Sequence, residues 1–556
     1  MKKTLFVALS FIMMMLGACS DKISTEIDPN PEPNPEPKPD VEEVVALKKI
    51  PFTKGLNLSD WFNVSEAYWF NPDTYTEKDF DQLKSLGIDV VRLPINFPIF
   101  MGQAPSYTFN QKMLTALDKA VEWAAARGIY VILDQHSYYG SRVFPEGYGE
   151  ELDDKVRRVL RLMFRTSMNR QHGFGSRNSA EHSADALAIQ QEGIVLLKNK
   201  GAVLPIDRER YKRILVVGEN ADFSLTRYGG SSGVKARYEI MPIDAIREMV
   251  GKNCVVEYQK GYTSDWPRNP QVEDSLMVEA IKAAKDAELI VFIGGHNKHP
   301  GQDTESYDRS SSNAPFRQGE LLSELVKNKV PLILVTMGAD LFDMPYIERF
   351  PAMLHTWYGG SESGTALAQV LFGEVNPSGK LPVTFYRKAS DCGAFVMGEY
   401  PGDGEDVHYD EDIFVGYRYV EKYGVKPQFS FGHGLSYTNF EYGKASLSRN
   451  IIAQDDSIEV KVPITNIGKR SGKEIVELYV RDEKSTVFRP EKELKGFDKI
   501  ELAPGETKEA RFIISVRDLS FYDERQGCWI AEPGKFEALI GSSSDNIKAK
   551  AVFELQ

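Results

Sequence analysis

The chain has 556 residues, 42% of them hydrophobic, which is enough for about three or four domains with large cores. Its 80 acidic residues exceed its 67 basic residues, giving a net charge of −13, and no lysine or arginine cluster lies among aromatic residues. A phosphate backbone therefore finds no basic surface here, which excludes nucleic acid as a partner. Four scattered cysteines, at positions 19, 254, 392 and 528, form no disulfide framework or Cys-x-x-Cys metal site, and we expect the last three to be buried thiols.

The N-terminus is typical of an exported lipoprotein. Lysines at positions 2 and 3 precede LFVALSFIMMML, an apolar stretch that is too short for a membrane span and indicates a secretory signal peptide. The sequence Leu16-Gly17-Ala18-Cys19 resembles a bacterial lipobox, which implies lipidation of Cys19; an ordinary signal peptide with a chance cysteine is the alternative. The proline-rich stretch DPNPEPNPEPKPD then favours a stiff polyproline rod. We therefore expect a periplasmic or cell-surface protein that only a lipid holds to a membrane of a bacterial envelope.

From residue 50 onward the sequence alternates between strand and helix patterns. The stretches are TKGLNL, TEKDFDQLKSLG, DVVRLPI, FNQKMLTALDKAVEWAAARG and IYVILDQH. Three strands with two intervening helices predict the opening of a (β/α) barrel, whose active site lies at the C-terminal ends of its strands. Arg92, at the end of the second strand, and His136, at the end of the third, are therefore candidate site residues.

The segments KGLNLSDWF, VVRLPINFPIF and VILDQH resemble the first three strands of a cellulase-like enzyme of glycoside hydrolase family 5, over about residues 50–140. The resemblance implies that Arg92 and His136 support the nucleophile and the substrate; a purely structural role at the strand ends is the alternative. The family's two catalytic glutamates do not follow, since the chain contains no Asn-Glu-Pro. A closed barrel needs about 250 residues, so we expect a partial barrel with an unpaired strand edge and an uncovered apolar face.

The rest of the chain predicts two further folds. Residues 150–167 have the apolar spacing of a helix, and apolar strands then alternate with helices, which predicts an α/β sandwich with a largely parallel sheet. The strand candidates are RILVVGEN, CVVEYQ, LIVFIGG, PLILVTMG and AMLHTWYGG. The C-terminal part, including IEVKVPITNIGKRSGKEIVELYVRD, has short alternating strands that predict a β-sandwich.

The region from about residue 146 to 556 resembles glycoside hydrolase family 3, the β-glucosidase family, and ends like its fibronectin type III-like domain. The resemblance is carried by EGIVLLKN, YGGSSGV, TESYDRSS, WYGGSESGTALAQVLFGEVNPSGKLPVTF, FVGYRYV and FSFGHGLSYTNFEY. It implies retaining hydrolysis of β-linked gluco-oligosaccharides or β-glucosides, with no metal or organic cofactor. It also implies that Glu305, within TESYDR, is the acid/base; a plain surface carboxylate is the alternative.

The nucleophile of that family, an Asp in a Ser-Asp-Trp on a late barrel strand, has no clear counterpart. Ser-Asp-Trp occurs at 59–61 and at 264–266, in neither case on a late barrel strand. Lys298 and His299 look like the family's substrate-binding pair but lie in the wrong domain, so we interpret them as loop residues. The YGGSSGV loop lacks a phosphate-loop lysine and is interpreted as a turn-rich loop that faces the sugar site.

These observations predict a junction near residues 140–150, where a family 5-like barrel start replaces most of a family 3 barrel. A natural recombination, an assembly error and a working rearrangement with an unrecognised nucleophile are three possible origins. Two functions stay open: a β-glucosidase-type hydrolase, and an inactive chimeric remnant or carbohydrate-binding module without turnover. The predicted segments are a lipoprotein signal peptide (1–19), a proline-rich linker (20–47), a partial barrel (48–145), a helical connector (146–200), the α/β sandwich (201–440) and the fibronectin type III-like domain (441–556).

The lipid anchor generates a first prediction. If Cys19 carries the lipid, the exported protein should partition with the membrane fraction, and Cys19→Ala should release or mislocalise it. Fractionation of cells that express either form, followed by immunoblotting, measures this difference. Equal recovery of both forms in the soluble fraction would rule the anchor out.

Overall fold

The computed structural model describes residues 54–64, 66–100, 108–136, 178–227, 229–299, 302–304, 309, 311–400, 402, 406, 408–454 and 456–556. The chain forms two compact units, Met1–Phe174 and Gly175–Gln556. The predicted fold class is confirmed, with a partial barrel in the first unit and two successive sandwiches in the second. Cys19, the helix predicted at 150–167 and the junction near 140–150 lie outside the described residues.

The first unit contains a three-stranded parallel sheet in the order β1-β2-β3. Two helices connect its strands. The elements are β1 (Gly55–Asn57), α1 (Glu77–Ser85), β2 (Val90–Ile95), α2 (Gln111–Ala126) and β3 (Tyr130–Gln135). Asn110 caps α2 by accepting hydrogen bonds from two backbone amides of its first turn, and Thr76 and Asp79 form a capping box at α1.

The centre of this sheet is well covered. Five of the six β2 residues are buried, and Val91, Leu93 and Ile95 belong to one core with residues of both helices. The expectation of an uncovered apolar face is therefore wrong for β2. All three residues of β1 are exposed, and β1 and β3 are the two edges of the sheet as far as the structure describes it. An edge strand of only three residues offers little surface for pairing with another chain.

The second unit begins with a six-stranded sheet in the order β4-β9-β8-β7-β5-β6, parallel except for the β4–β9 pair. Its strands are β4 (Val195–Asn199), β5 (Arg213–Val217), β6 (Val255–Gln259), β7 (Leu289–Gly295), β8 (Leu332–Met337) and β9 (Ala352–His355). Its helices are α3 (Ala180–Gly193), α4 (Pro242–Val250), α5 (Pro270–Ala283), α6 (Gln318–Leu325) and α7 (Ser363–Leu371).

Each face of this sheet has its own hydrophobic core, which explains the continuous apolar runs. In β7, Leu289, Val291 and Ile293 pack into one core with α4 and α7. Ile290 and Phe292 point to the other side and pack with α5 and α6. Because both faces are buried, the strand shows no polar alternation, as expected for a parallel sheet.

One strand of the sheet lies where the sequence predicted a helical connector. Val195–Asn199 is β4, the edge strand that pairs antiparallel with β9, and Val195 and Leu196 are fully buried. The boundary of the α/β sandwich therefore lies before residue 200 in the structure.

The C-terminal β-sandwich follows two short helices, α8 (Gly393–Met397) and α9 (Tyr417–Tyr423). One sheet joins β10, β13, β11 and β16; the other has the order β12-β20-β19-β14-β15; β17 and β18 form a hairpin. The elements are β10 (Phe440–Tyr442), β11 (Ser446–Leu447), β12 (Ile451–Ile452), β13 (Ser457–Asn466), β14 (Gly472–Asp482), β15 (Glu493–Leu502), β16 (Thr507–Ser515), α10 (Val516–Leu519), β17 (Phe521–Asp523), β18 (Cys528–Ile530), β19 (Gly534–Gly541) and β20 (Ile547–Leu555).

Polar contacts join the two sandwiches. Glu192, at the end of α3, forms ion pairs with Lys473 and Lys499 of the β-sandwich. Asn376 accepts hydrogen bonds from Ser436 Oγ and Tyr437 N and donates one to the Ser471 carbonyl. These contacts fix the β-sandwich against the α/β sandwich.

The cysteines only partly match the expectation. Cys254 is buried, Cys392 is half-buried, and Cys528 is exposed on the β17–β18 hairpin. The interpretation of Cys528 as a buried thiol is wrong because a two-stranded hairpin has few neighbours to cover it. Across the described residues, no helix has the length and apolar character of a membrane span.

A buried glutamate at the junction of the two sandwiches generates the second prediction. Burial raises the pKa of Glu477 from 4.5 to about 7. The hydrogen bond that the Tyr479 hydroxyl donates to Glu477 lowers the pKa, but burial has the larger effect. Between these two pH values the folded protein holds a proton that the unfolded chain has released, so the free energy of unfolding falls as pH rises through this window. Across this window the free energy of unfolding falls by about 3 kcal/mol at most. Glu477→Gln has no ionisable group at this position and should abolish this pH dependence.

The measurement is the melting temperature of both forms from pH 5 to pH 8. The melting temperature of Glu477→Gln should rise relative to that of the wild type as pH increases. Glu441→Gln, at an exposed site, should show no such change. A constant difference between Glu477→Gln and the wild type would contradict the prediction.

Candidate functional site

The C-terminal ends of β7 and β8 bring two loops together at one edge of the six-stranded sheet. The chain turns sharply at Gly295 and Gly338, which have φ values of +105° and +136°. A Cβ atom on Gly295 would lie 2.2 Å from the Met337 carbonyl oxygen, so only glycine fits this close approach. In parallel sheets, ligand sites form at this edge of the sheet.

Arg309 is anchored at this edge by two partners. Its guanidinium donates to both carboxylate oxygens of Asp340, at 2.8 and 2.6 Å, and to His296 Nε2 at 2.6 Å. The two parallel hydrogen bonds to Asp340 form the strong bidentate geometry of an arginine–carboxylate pair. Burial opposes the ionisation of Asp340, but its hydrogen bonds and the charge of Arg309 outweigh burial and hold its pKa well below its usual range.

Buried His296 lies between these groups. Its Nε2 lies 2.6 Å from Arg309 Nη1 and 3.4 Å from Asp340 Oδ1. Nδ1 lies 3.2 Å from Gln302 Oε1, an acceptor. His296, only 1% exposed, therefore contacts both flanks of the segment 303–308.

Asp303 adds a second anchor on the N-terminal flank. Its Oδ2 accepts hydrogen bonds from Ala339 N and from the Tyr358 hydroxyl, both at 2.8 Å. Glu305 itself lies outside the described residues, so its predicted role stays a prediction. The structure does show how residues 302–304 and Arg309 are tied to the ends of β7 and β8.

Lys298 is a buried residue, although we interpreted it from the sequence as an ordinary loop residue. Its side chain is buried beside Tyr358, and its Nζ donates to the Ser232 carbonyl at 3.0 Å. Burial lowers the pKa of Lys298. This contact places part of the YGGSSGV loop at the same strand edge, consistent with the prediction that this loop faces the candidate site.

In the first unit the side chains of Arg92 and His136 come together, with Arg92 Nη2 3.5 Å from His136 Nδ1. His136 directly follows β3, but Arg92 is the third of the six residues of β2, so its predicted position at the end of that strand is wrong. Arg92 Nη2 donates to Asp134 Oδ2 at 2.5 Å, and His136 Nδ1 lies 3.2 Å from the same oxygen. Arg92 Nη1 also donates to Asn57 Oδ1 at 2.7 Å. The side chains of Arg92 and His136 are 40% and 42% exposed, whereas that of Asp134 is 6% exposed. Asp134 therefore orients two solvent-facing donors.

Sequence reasoning missed Asn57 and His296. Asn57 pairs with Arg92 in the register of β1 and β2. Its position at the end of β1 was the feature of the sequence that could have marked it as a site residue. His296 could have been found in the same way, because it directly follows β7.

Neither Ser-Asp-Trp sequence lies in a catalytic setting. Asp60 is exposed beyond β1, with a φ of +60°. In the second copy, Ser264 donates its backbone N–H to buried Glu219 at 2.7 Å, and Asp265 is an exposed partner of Lys260. Among the described residues no group of three or more His, Cys, Asp or Glu side chains is arranged to hold a metal ion.

Comparisons with known proteins match three families along the chain. Residues 194–437 match the glycosyl hydrolase family 3 C-terminal domain, and residues 474–544 match a fibronectin type III-like domain. Residues 48–213 match Cellulase (glycosyl hydrolase family 5). The overlap at 194–213 contains β4, which is part of the six-stranded sheet.

Several individual relatives are named β-glucosidases, and one is named a β-xylosidase. The chain is 46% identical over 419 residues to beta-glucosidase BoGH3A of Bacteroides ovatus, covering 73% of this chain and 56% of that protein. It is 36% identical over 400 residues to thermostable beta-glucosidase B of Acetivibrio thermocellus, covering 72% and 52%. A crystal structure of a GH3 beta-glucosidase from Bifidobacterium adolescentis matches with a TM-score of 0.67 and 27% identity, covering 84% of this chain and 64% of that one. The chain thus spans little more than half the length of its sequence relatives.

The Arg309 network generates the third prediction. Arg309→Ala leaves Asp340 without its guanidinium partner and should lower the free energy of unfolding by about 1 to 2 kcal/mol. Lys327→Gln, which removes an exposed ion pair with Glu324, should cost less than about 0.5 kcal/mol. Denaturant unfolding of both variants beside the wild type measures the difference. Equal, small effects of the two substitutions would show that the network does not stabilise this edge.

Proposed function

We propose that the chain is a β-glucosidase-type hydrolase, of a kind that acts with retention on short β-linked gluco-oligosaccharides, because residues 194–437 match the glycosyl hydrolase family 3 C-terminal domain. The observation that carries the proposal is the anchored strand edge around His296, Asp303 and Arg309, which flanks the TESYDR motif. The names of the relatives support the same reaction class.

Glu305 is the proposed acid/base. In a retaining glycosidase this carboxyl group protonates the departing aglycone oxygen and later deprotonates the attacking water. The nucleophilic carboxylate must lie about 5 to 5.5 Å away. The described residues on either side of Glu305, Asp303 and Arg309, are held by hydrogen bonds near the ends of β7 and β8, which supports this role.

The reaction also needs a nucleophilic carboxylate, and the chain differs from family 3 where that residue is expected. The family 3 match begins at residue 194, and the part before it matches family 5 instead. Of the two carboxylates considered, Asp60 is exposed beyond β1, and Asp134 is buried against Arg92 and His136. We propose that this chain by itself lacks a competent nucleophile. An inactive chimeric remnant, or a carbohydrate-binding protein without turnover, is the second candidate, favoured by the ion pairing of Asp134.

Location is part of the proposal. A lipid on Cys19 and the proline-rich segment 20–47 would hold the folded units off a membrane surface. Oligosaccharides outside the cytoplasm are then the accessible substrates.

The activity prediction follows from the missing second carboxylate. Loss of a glycosidase nucleophile costs several orders of magnitude, so the purified chain should hydrolyse an aryl β-glucoside barely above background. Initial rates of the wild type, Glu305→Gln, Asp60→Asn and Asp134→Asn measure this, with melting curves to confirm folding.

Two results would contradict this reading. Robust turnover that disappears in Glu305→Gln and in one Asp variant would identify a working nucleophile in this chain. Turnover that is indifferent to Glu305→Gln would instead show that Glu305 is not the acid/base.

A further inference from the structure

One loop of the second unit carries exposed positive charge, although the chain as a whole is acidic. Between residues 223 and 238 the sequence has three basic residues, Arg227, Lys235 and Arg237, and no Asp or Glu, whereas the whole chain has a net charge of −13. All three basic residues are exposed. None of them forms an ion pair with a carboxylate that the structure describes. We call the described residues 223–227 and 229–238 the basic loop.

Lys298 places a fourth cation beneath the basic loop. It is buried, its Nζ donates to the Ser232 carbonyl at 3.0 Å, and the centroid of the Tyr358 ring lies 5.8 Å from the same atom. No described carboxylate lies within ion-pair distance of this ammonium group, and burial lowers its pKa. An ammonium group has three donors, and the Ser232 carbonyl takes one of them. A buried charge is costly unless an anion or further acceptors accompany it, so this position favours an anionic ligand.

The backbone of the basic loop is fixed close to Lys298. Gly229 has a φ of +104°, and a Cβ atom there would lie 2.4 Å from Lys298 Cε, so the loop backbone lies directly against this side chain. At the base of the loop, Glu239 accepts hydrogen bonds from one backbone amide and two hydroxyl groups of residues 224–226. The charge of Glu239 acts on Lys298 from beyond ion-pair distance, and both of its oxygens already accept these hydrogen bonds. Glu239 therefore holds the loop and leaves the ammonium group open to a ligand.

The basic loop and the segment of the proposed acid/base are joined through one side chain. Tyr358, whose ring lies near Lys298, donates a hydrogen bond from its hydroxyl to Asp303 Oδ2 at 2.8 Å. Asp303 lies two residues before Glu305 in the sequence. An anionic group that Lys298 holds would therefore belong to a ligand at the same edge of the sheet.

We propose that the basic loop and Lys298 form a subsite for an acidic sugar residue, so that the chain binds β-linked oligosaccharides that carry a carboxylate or sulfate group more tightly than neutral ones. The anionic group accepts hydrogen bonds from the Lys298 ammonium group. The three exposed cations raise the local potential and steer the ligand towards it. The choice of a sugar rests on the proposed function; the preference for an anion rests on these charges alone.

Isothermal titration calorimetry of the full chain with cellobiose and with cellobiouronic acid tests the proposal, because the two disaccharides differ by one carboxylate. At low salt the acidic disaccharide should bind about tenfold or more tightly. Lys298→Met, which keeps the apolar stem, should remove most of this difference, and Lys298→Arg, which keeps the charge, should retain part of it. The triple variant Arg227→Gln/Lys235→Gln/Arg237→Gln should lose the part of the difference that high salt screens.

Matched controls separate the subsite from general charge effects. Lys327→Gln removes one positive charge from an exposed ion pair elsewhere in the second unit and should bind both disaccharides as the wild type does. Melting curves of all variants check folding. A parallel titration with a sulfate ester of cellobiose tells which anionic group the subsite prefers, and tighter binding of either acidic form than of cellobiose supports the proposal.

Three results would overturn the inference. A full preference that survives both Lys298→Met and the triple variant would show that these cations do not read the anion. Displacement of the acidic disaccharide by duplex DNA would assign the basic loop to a phosphate backbone. Equal affinity for neutral and acidic disaccharides would remove the subsite but leave the proposed function standing, since that function is measured on an uncharged aryl β-glucoside. Binding of neither disaccharide would count against both.

Discussion

The bidentate ion pair between Arg309 and Asp340 determines how the edge of the six-stranded sheet is organised. It joins the end of β8 to Arg309, the last residue of the TESYDR motif, whose guanidinium also lies 2.6 Å from His296 Nε2. His296 Nδ1 lies 3.2 Å from Gln302 Oε1, which precedes the motif. Buried His296 therefore contacts residues 302 and 309.

This organisation depends on the parallel sheet beneath it. Residues that follow β7 and β8 meet only because both strands run in the same direction and end side by side. The glycines at 295 and 338 let the chain turn at once, which keeps His296 and Asp340 within reach of Arg309. A rigid scaffold of this kind suits an acid/base, whose proton must lie within hydrogen-bonding distance of the leaving oxygen.

Much of the fold could be predicted from local sequence patterns, and the misses have physical causes. The buried runs of β7 and β8 and the position of His136 after β3 could be predicted because they depend on short stretches alone. Arg92 was placed at the end of its strand, but β2 continues for three residues beyond it. β4 was assigned to a connector because its strand partner, β9, lies far along the chain. Asn57 and His296 were missed since strand register and side-chain contacts arise from tertiary structure. The exposure of Cys528 likewise reflects its hairpin surroundings, which composition does not report.

The two strand-edge clusters are built for different tasks. In the second unit the histidine, His296, is almost fully buried, and the Arg309 guanidinium is paired with the partly exposed carboxylate of Asp340. In the first unit the carboxylate is the buried group. The side chains of Arg92 and His136, which Asp134 orients, are about two-fifths exposed. Both contacts are made to one oxygen of Asp134, Oδ2, so they fix the orientation of the carboxylate. The buried acid thereby holds the exposed side chains of Arg92 and His136 in place at the surface of the partial barrel.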